Sequence, residues 1–184
     1  MKSLIFMQCI MQYNMMTFSV LLILSSFNLK AERLEMVDNK YYIITISCYE
    51  QNECAYNKVD NIPIVVTIIN ISDAGFYLPL KFIEKTGPGV HLIDLNSNKR
   101  MPLMSNLASW DLKKELVYVP KEGKVSLKWT ILAQEVAPFV QDGIVNVSAK
   151  FSIRTKLFNA DKNELGEFIY YSQLIIKGNG LDGN

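Results

Sequence analysis

Beyond the first thirty or so residues, apolar and polar positions alternate in short stretches, separated by turn residues at roughly ten-residue intervals. Residues 145–156 show this most clearly, with valine, alanine, phenylalanine and isoleucine at every second position between asparagine, serine, lysine and arginine. Residues 124–131 repeat the pattern. Such alternation is typical of antiparallel strands with one buried and one solvated face.

Residues 62–71 differ, because both of their side-chain sets are largely apolar, which predicts a central strand covered on both faces. Pro63 fits near the start of such a strand, where its missing donor is tolerated. The remaining predicted strands share short apolar runs bounded by turn residues, and they are residues 41–48, 76–84, 90–95, 116–119 and 166–177. Eight strands in about 150 residues predict two packed sheets.

The predicted fold class is therefore all-β, an immunoglobulin-like β-sandwich of about eight antiparallel strands, with a jelly roll or a small barrel as alternatives. The motif NISD at 70–73 is followed by a strand pair, by VPKEGKVSLKW at 119–129 and by a long alternating strand. This order resembles small extracytoplasmic immunoglobulin-like domains, and the resemblance implies no particular function. Residues 105–115 are the one place where a helical turn is expected, with Ser105 as its cap.

The N-terminal segment has the features of a targeting sequence. Residues 4–24 carry no charge, follow Lys2 and end in a dense apolar run, and the small residue Ala31 precedes Glu32. Residues 1–31 are predicted to be a signal peptide, with an uncleaved membrane anchor as the main alternative. The sandwich domain then covers 32–177, and 178–184 is predicted to be a flexible tail.

Charge argues against nucleic-acid partners once the leader is set aside. The full chain has 19 basic and 18 acidic residues, and two of the bases, Lys2 and Lys30, precede the first acidic residue, Glu32. The domain is thus nearly neutral and has no run of lysine or arginine to hold a phosphate backbone. Contact with a membrane is expected only through residues 1–31, if that segment is retained.

Two cysteines, Cys48 and Cys54, remain beyond the leader and flank the polar segment YEQNE. An even number of cysteines in an exported chain predicts one disulfide, with two free thiols as the alternative. A structural zinc site needs about four ligands, whereas two cysteines and one histidine are too few. No metal and no cofactor are predicted.

Catalytic motifs are not found in the sequence. The single histidine, His91, is three residues from Asp94 on a predicted strand, so the two side chains are expected on opposite faces. The densest acidic group, Asp161 and Glu164, lacks the spacing of a calcium loop. A carboxylate-dependent hydrolase therefore remains only a minor alternative, and the protein is predicted not to be an enzyme.

Two glycosylation sequons begin at Asn70 and Asn146, and both would be glycan candidates in a eukaryotic secretory protein. The two tryptophans are interpreted differently. Trp129 lies on the apolar face of its strand and is expected in the core. Trp110 lies in the polar connection 105–115 together with Leu107 and Leu112, which makes these three a possible partner-binding group. The alternative is that Trp110 folds back and plugs one end of the sandwich.

The sequence thus predicts a non-catalytic, exported β-sandwich that binds a protein partner, as a binding or structural module of the cell envelope or the extracellular space. β-Strand addition is one mode available to such a fold. The alternatives are a secreted inhibitor or an assembly factor, and, in another class, the hydrolase.

Overall fold

Alternating side chains form two facing β-sheets in the structure, a computed structural model that describes residues 40–49 and 54–179. All of these residues belong to one compact unit, Val37–Asn184. Three antiparallel strands form the smaller sheet, in the order β1 (Tyr42–Cys48), β3 (Ile62–Asn70) and β8 (Lys124–Ile131). The β3 strand is central, as predicted, but the outer of its two apolar faces is only partly buried and not covered. Pro63 lies at the end of its ladder with β1.

The larger sheet is built around two long strands, β9 (Ile144–Phe158) and β10 (Glu164–Asn179), which pair antiparallel along their whole length. β10 is flanked by β2 (Cys54–Tyr56). The other edge of β9 pairs with β4 (Phe76–Leu78) and then with β5 (Gly89–Asp94). These two strands pair in turn with β7 (Val117–Val119) and β6 (Arg100–Pro102).

A short helix, α1 (Leu80–Thr86), interrupts the strand position that β4 and β5 share beside β9. The prediction of one strand over 76–84 is therefore wrong after Leu78. Pro79 precedes the helix and Gly87 follows it, an arrangement that starts and stops helices. The only other α-helix in the described part of the chain is α2 (Ala133–Val136).

The core lies between the sheets and is filled by the inward-facing set of each strand. Phe76, Phe139 and Phe151 are at most 1% exposed. Tyr42 of the smaller sheet is fully buried, and its hydroxyl donates to the carbonyl of Ile153 at 2.9 Å and to that of Phe168 at 3.1 Å. The predicted all-β sandwich is confirmed by these two facing sheets.

The structure corrects several details of the prediction. Its described part has ten strands, two more than predicted. The two additional strands are the short β2 and β6. The pair β2–β10 is parallel, so the sheets are not wholly antiparallel. Gly178 and Asn179 belong to β10 and not to a tail. A Cβ on Gly178 would lie 2.1 Å from the carbonyl oxygen of Tyr56, because β2 passes close to this strand.

The predicted leader, 1–31, lies outside the described residues. Within the described ranges, none of the helices is long and apolar enough to cross a bilayer.

Candidate partner-binding surface

The connection between β6 and β7, residues 103–116, is tied to the sandwich at its start. The N–H of Leu103 donates to the carbonyl of Val90 at 2.9 Å, and the N–H of Asn106 donates to that of Thr86 at 3.0 Å. Leu103 packs against the core. Beyond Asn106 the chain turns outward, so the side chains that follow are carried on a segment whose base is fixed.

A 3₁₀ helix, Trp110–Lys114, forms the outer part of this connection. Its cap is Ser109, whose hydroxyl accepts a hydrogen bond from the N–H of Asp111 at 3.4 Å, and not Ser105 as predicted. Lys114 Nζ pairs with Asp111 Oδ1 at 2.9 Å. A single 3₁₀ turn is short and poorly stabilised by itself, so its position depends on neighbouring elements.

Helix α1 provides that support. The ammonium of Lys113 lies 3.8 Å from the ring centroid of Trp110 and 4.6 Å from that of Phe82, so it bridges the two rings. Their centroids are 6.4 Å apart. At the far end of the turn, Lys81 Nζ donates to the carboxylate of Glu115, and this hydrogen bond raises the pKa of Lys81.

Three large apolar side chains of the connection face solvent. Leu107 is 99% exposed, Met104 88% and Trp110 75%. We call these three residues the connection surface. The alternative in which Trp110 plugs the sandwich is wrong, because a plug would be buried. Leu112, the third residue of the predicted group, is half-buried and therefore contributes less to this surface.

Sequence reasoning missed two members of this region, Met104 and Phe82. Met104 lies just before the predicted segment, and Phe82 was assigned to a strand. The signal that could have revealed Phe82 was the Pro79 and Gly87 pair, which bounds a helix.

Trp129 is only partly buried, contrary to the prediction that it is a core residue. Its indole covers Gly87, and a Cβ on that glycine would lie 2.3 Å from the ring. Trp129 also lines a cleft of about 310 Å³ between β8 and the start of the connection. The residues of β8 and the turn after it that line this cleft are Lys128, Trp129, Thr130 and Leu132, and those of the connection are Leu103, Met104 and Asn106.

The disulfide between Cys48 and Cys54 is present, with 5.5 Å between the two Cα atoms. It connects β1 of the smaller sheet to β2 of the larger sheet. A structural disulfide is typical of proteins that fold in an oxidising compartment.

The groups considered for chemistry are not brought together. His91 is exposed and Asp94 is 1% exposed, on opposite faces of β5 as predicted. Glu164 pairs with Lys156 at 2.9 Å, and Asp161 is exposed in the turn before it. Within residues 40–49 and 54–179, no group of three or more histidine, cysteine, aspartate or glutamate side chains is arranged to hold a metal.

The buried carboxylate of Asp94 is held in place by hydrogen bonds from three neighbouring residues. Its carboxylate accepts from the N–H of Asn96 at 2.8 Å, from the hydroxyl of Ser97 at 2.9 Å and from Nε2 of Gln141 at 2.7 Å. The bond from the Asn96 N–H is the largest cause that lowers the pKa of Asp94, and desolvation opposes it. The acid thus stays charged and ties the turn after β5 to the loop before β9.

The two sequons also differ in their surroundings. Asn70 is 1% exposed, and its Nδ2 donates to the carbonyls of Ala74, Val119 and Pro120 at 2.9 to 3.2 Å. This leaves no space for a glycan in the folded domain. Asn146 is half-exposed on β9, although its Oδ1 atom is buried without a hydrogen-bond partner.

Comparison with known proteins does not assign this chain to a family. No family model matches it, and no curated protein matches it. Among solved structures, the chain is similar to a structural-genomics target named SoR45, with 11% identity and a TM-score of 0.37, covering 76% of this chain and 87% of that one.

It is also similar to the ASH/PapD-like domain 7 of human CEP192, with 5% identity and a TM-score of 0.35, covering 82% of this chain and 93% of that one. A β-glucosidase from Listeria innocua in complex with glucose gives 17% identity and a TM-score of 0.32, covering 77% of this chain and only 17% of the glucosidase. At these identities and TM-scores the likenesses carry no functional argument.

Proposed function

We propose that this protein is an exported, non-catalytic binding module that docks a protein partner on the connection surface. The observation that carries the proposal is the exposure of Met104, Leu107 and Trp110 on one tethered segment. Scattered apolar residues are normal on a protein surface, whereas several large ones grouped together are typical of an interaction site.

The composition of the region supports a protein partner. Tryptophan is enriched among the residues that dominate binding energy, and such anchors are usually surrounded by polar and charged neighbours. Here Trp110 is held against Lys113 and Phe82, and Lys114 and Asp111 lie beside it. Because the ring already has neighbours that fix its orientation, less side-chain entropy is lost when a partner covers it.

Export is the second part of the proposal. The leader 1–31 has the composition of a signal peptide, and the Cys48–Cys54 disulfide is in keeping with an oxidising compartment. Intact-mass measurement of the protein purified from its own organism tests cleavage, and we expect a mature chain that starts at Glu32. A chain that retains residues 1–31 and sediments with membranes would instead support the anchor.

Partner binding is tested by cross-linking the tagged full-length protein in its native compartment, followed by direct binding of the purified partner. We expect Trp110→Ala to weaken that complex by about 2 kcal/mol, or roughly 30-fold in Kd. The matched control is Tyr171→Ala, which removes another exposed aromatic side chain, 49% exposed, from β10. Equal affinities for the wild type and Trp110→Ala would exclude the connection surface as the docking site.

The rival class, a carboxylate-dependent hydrolase, needs its own assay. A panel of glycoside and ester substrates should give no turnover above background, with or without calcium. Turnover that is lost on Asp161→Asn or Glu164→Gln would overturn the proposal. A secreted inhibitor or an assembly factor would also use the connection surface, so the identity of the captured partner distinguishes these two versions.

A further inference from the structure

The outer edge of β8 is an unpaired strand edge in the described part of the chain. Among the described strands, β8 pairs only with β3, in a register that places Val125 opposite Ile68 and Trp129 opposite Ile64. The N–H of Asn70 donates to the carbonyl of Gly123, so the odd-numbered residues of β8 are those that bond to β3. The even-numbered residues therefore direct their N–H and C=O groups away from the sheet, and they are Lys124, Ser126, Lys128 and Thr130.

We propose that this edge accepts an extended segment of the protein partner by β-strand addition, and that this segment alternates acidic and apolar side chains. The inference rests on the proposed function, because it names the kind of partner and a second point of contact. A row of unpaired backbone groups is a ready template for one more strand, and the backbone hydrogen bonds would supply affinity without regard to sequence.

Specificity for acidic residues comes from the outer face of β8. Lys124 and Lys128 are both exposed on this face, and neither has an ion-pair partner among the described residues. The ammonium of Lys128 lies 4.5 Å from the ring centroid of Tyr49, which follows β1 on the far side of β3. Lys128 therefore reaches an added strand by changing its side-chain rotamer, whereas Lys124 starts free of such a contact within the described ranges. A strand added to this edge places alternate side chains beside these two lysines, so carboxylates at those positions gain a favourable interaction.

Specificity for apolar residues comes from the inner face. The side chains of the added strand that point inward lie next to Trp129 and above the cleft of about 310 Å³. Leu103 and Met104 form the opposite wall of that cleft. Met104 also belongs to the connection surface, so the edge and the connection surface are continuous and one partner can contact both.

A second copy of this chain fits the edge poorly. In an antiparallel pair of two β8 strands centred on Leu127, Ser126 would face Lys128 of the other copy and Lys124 would face Thr130. The four ammonium groups of Lys124 and Lys128 from the two copies would then lie on one face of the paired strands. Like charges on neighbouring strands disfavour pairing. Lysines on an edge strand are a recognised means of preventing such self-association.

The probe for the test is a capped peptide of eight residues that alternates glutamate and valine, titrated into the full-length protein. Trp110 and Trp129 are the two tryptophans of the chain, so in the Trp110→Phe variant the fluorescence comes from Trp129 at the cleft. We expect a saturable change in emission with this peptide and none with a peptide that alternates lysine and valine. Binding that persists without Trp110 supports the edge even if the connection surface fails its own test.

Two variants of β8 identify the site. Ser126→Pro removes an outward N–H without removing a backbone hydrogen bond to β3, and should weaken peptide binding about tenfold or more. It also removes the hydroxyl that bonds to Thr67, so its matched control is Ser126→Ala, which loses the same hydroxyl and keeps the N–H. The double variant Lys124→Glu, Lys128→Glu should instead bind the lysine peptide, since the charge of the edge is reversed.

Unchanged binding of the glutamate peptide by both variants would overturn the inference, provided that their melting temperatures match the wild type. If Ser126→Pro unfolds the domain, the charge-reversal variant alone decides the outcome. A concentration-dependent dimer in sedimentation that Ser126→Pro converts to monomer would also overturn it, because the edge would then be occupied by a second copy.

Discussion

Trp129 and Trp110 belong to two regions of the molecule in which the same side chain meets opposite surroundings. Trp129 is on β8, where alternation directs it inward over Gly87. Trp110 is on the connection, where it is 75% exposed and contacts Phe82 and Lys113. Strand alternation directs the side chain of Trp129 inward, whereas none of the neighbouring elements buries the side chain of Trp110. A large aromatic residue that the fold leaves exposed is therefore available for a partner.

The largest expected effect in this comparison is that of Trp129→Ala. The change removes a half-buried ring that covers Gly87 and should destabilise the domain by about 3 kcal/mol through lost packing and the cavity that remains. Urea unfolding at constant m-value measures it. The control is Lys128→Ala on the exposed face of the same strand, which should change stability by about 0.5 kcal/mol or less. Equal effects of the two changes would contradict the assigned faces of β8.

Loss of the disulfide should have the next largest effect. Cys48 and Cys54 are six positions apart in sequence, so the bond closes a short loop and its effect on the unfolded chain is modest, about 2 kcal/mol. The double variant Cys48→Ala, Cys54→Ala, unfolded beside the wild type without reductant, gives the value. Addition of dithiothreitol should lower the stability of the wild type and leave the double variant unchanged. If mass spectrometry shows that the wild type is fully reduced and its stability is still unchanged, the disulfide does not stabilise the fold.

Asp94 gives a pH-dependent effect in the sandwich region. Its pKa is lowered in the folded state, chiefly by the hydrogen bond from the Asn96 N–H. Such a group stabilises the fold above its unfolded pKa of about 4, and that stabilisation is lost as the pH falls through the lower folded pKa. We expect the stability difference between the wild type and Asp94→Asn to be constant near neutral pH and to narrow below about pH 4. Asp111→Asn is the control, because Asp111 is exposed. A difference that does not vary with pH would show that the charge of Asp94 is not what stabilises the turn.

The smallest expected change in stability is that of Trp110→Ala, which replaces tryptophan by alanine just as Trp129→Ala does. Because the ring is largely exposed, we expect about 0.5 kcal/mol or less in unfolding experiments. A loss of 2 kcal/mol or more would mean that Trp110 is buried in solution and would remove the connection surface from consideration. The contrast between the two tryptophan variants is thus a direct test of the difference between the two regions.

Strand positions were largely predictable, because alternation along the chain reflects which side chains face the core. β8 and β9 were predicted to within a few residues. Helix α1 was missed because its apolar residues, such as Leu80 and Ile83, also suit a strand over so short a length. β2 and β6 were missed because a run of three residues is too short to show the alternation of apolar and polar side chains. Each of these short strands depends on a long neighbour, β10 or β5, for its hydrogen bonds.

The candidate surface was predictable only in part. The sequence marked Trp110, Leu107 and Leu112 as unusual for a polar connection, and Cys48 and Cys54 as a disulfide pair. The sequence did not indicate which of the three apolar residues are exposed, because exposure depends on how the connection packs against α1.

The sequence by itself determined the class of fold, the faces of the long strands and the cysteine pair, because these follow from local periodicity and from residue type. The tertiary structure alone decided which strand edges pair, that β4 and β5 share one position beside β9 and that Asn70 is buried. It also decided that the outer edge of β8 pairs with no strand in the described part of the chain. Hydrogen bonds between strands join residues far apart in the chain, such as Asn70 and Gly123 or Ile176 and Cys54. Partners of that kind leave no local pattern in the sequence, so only the folded chain reveals them.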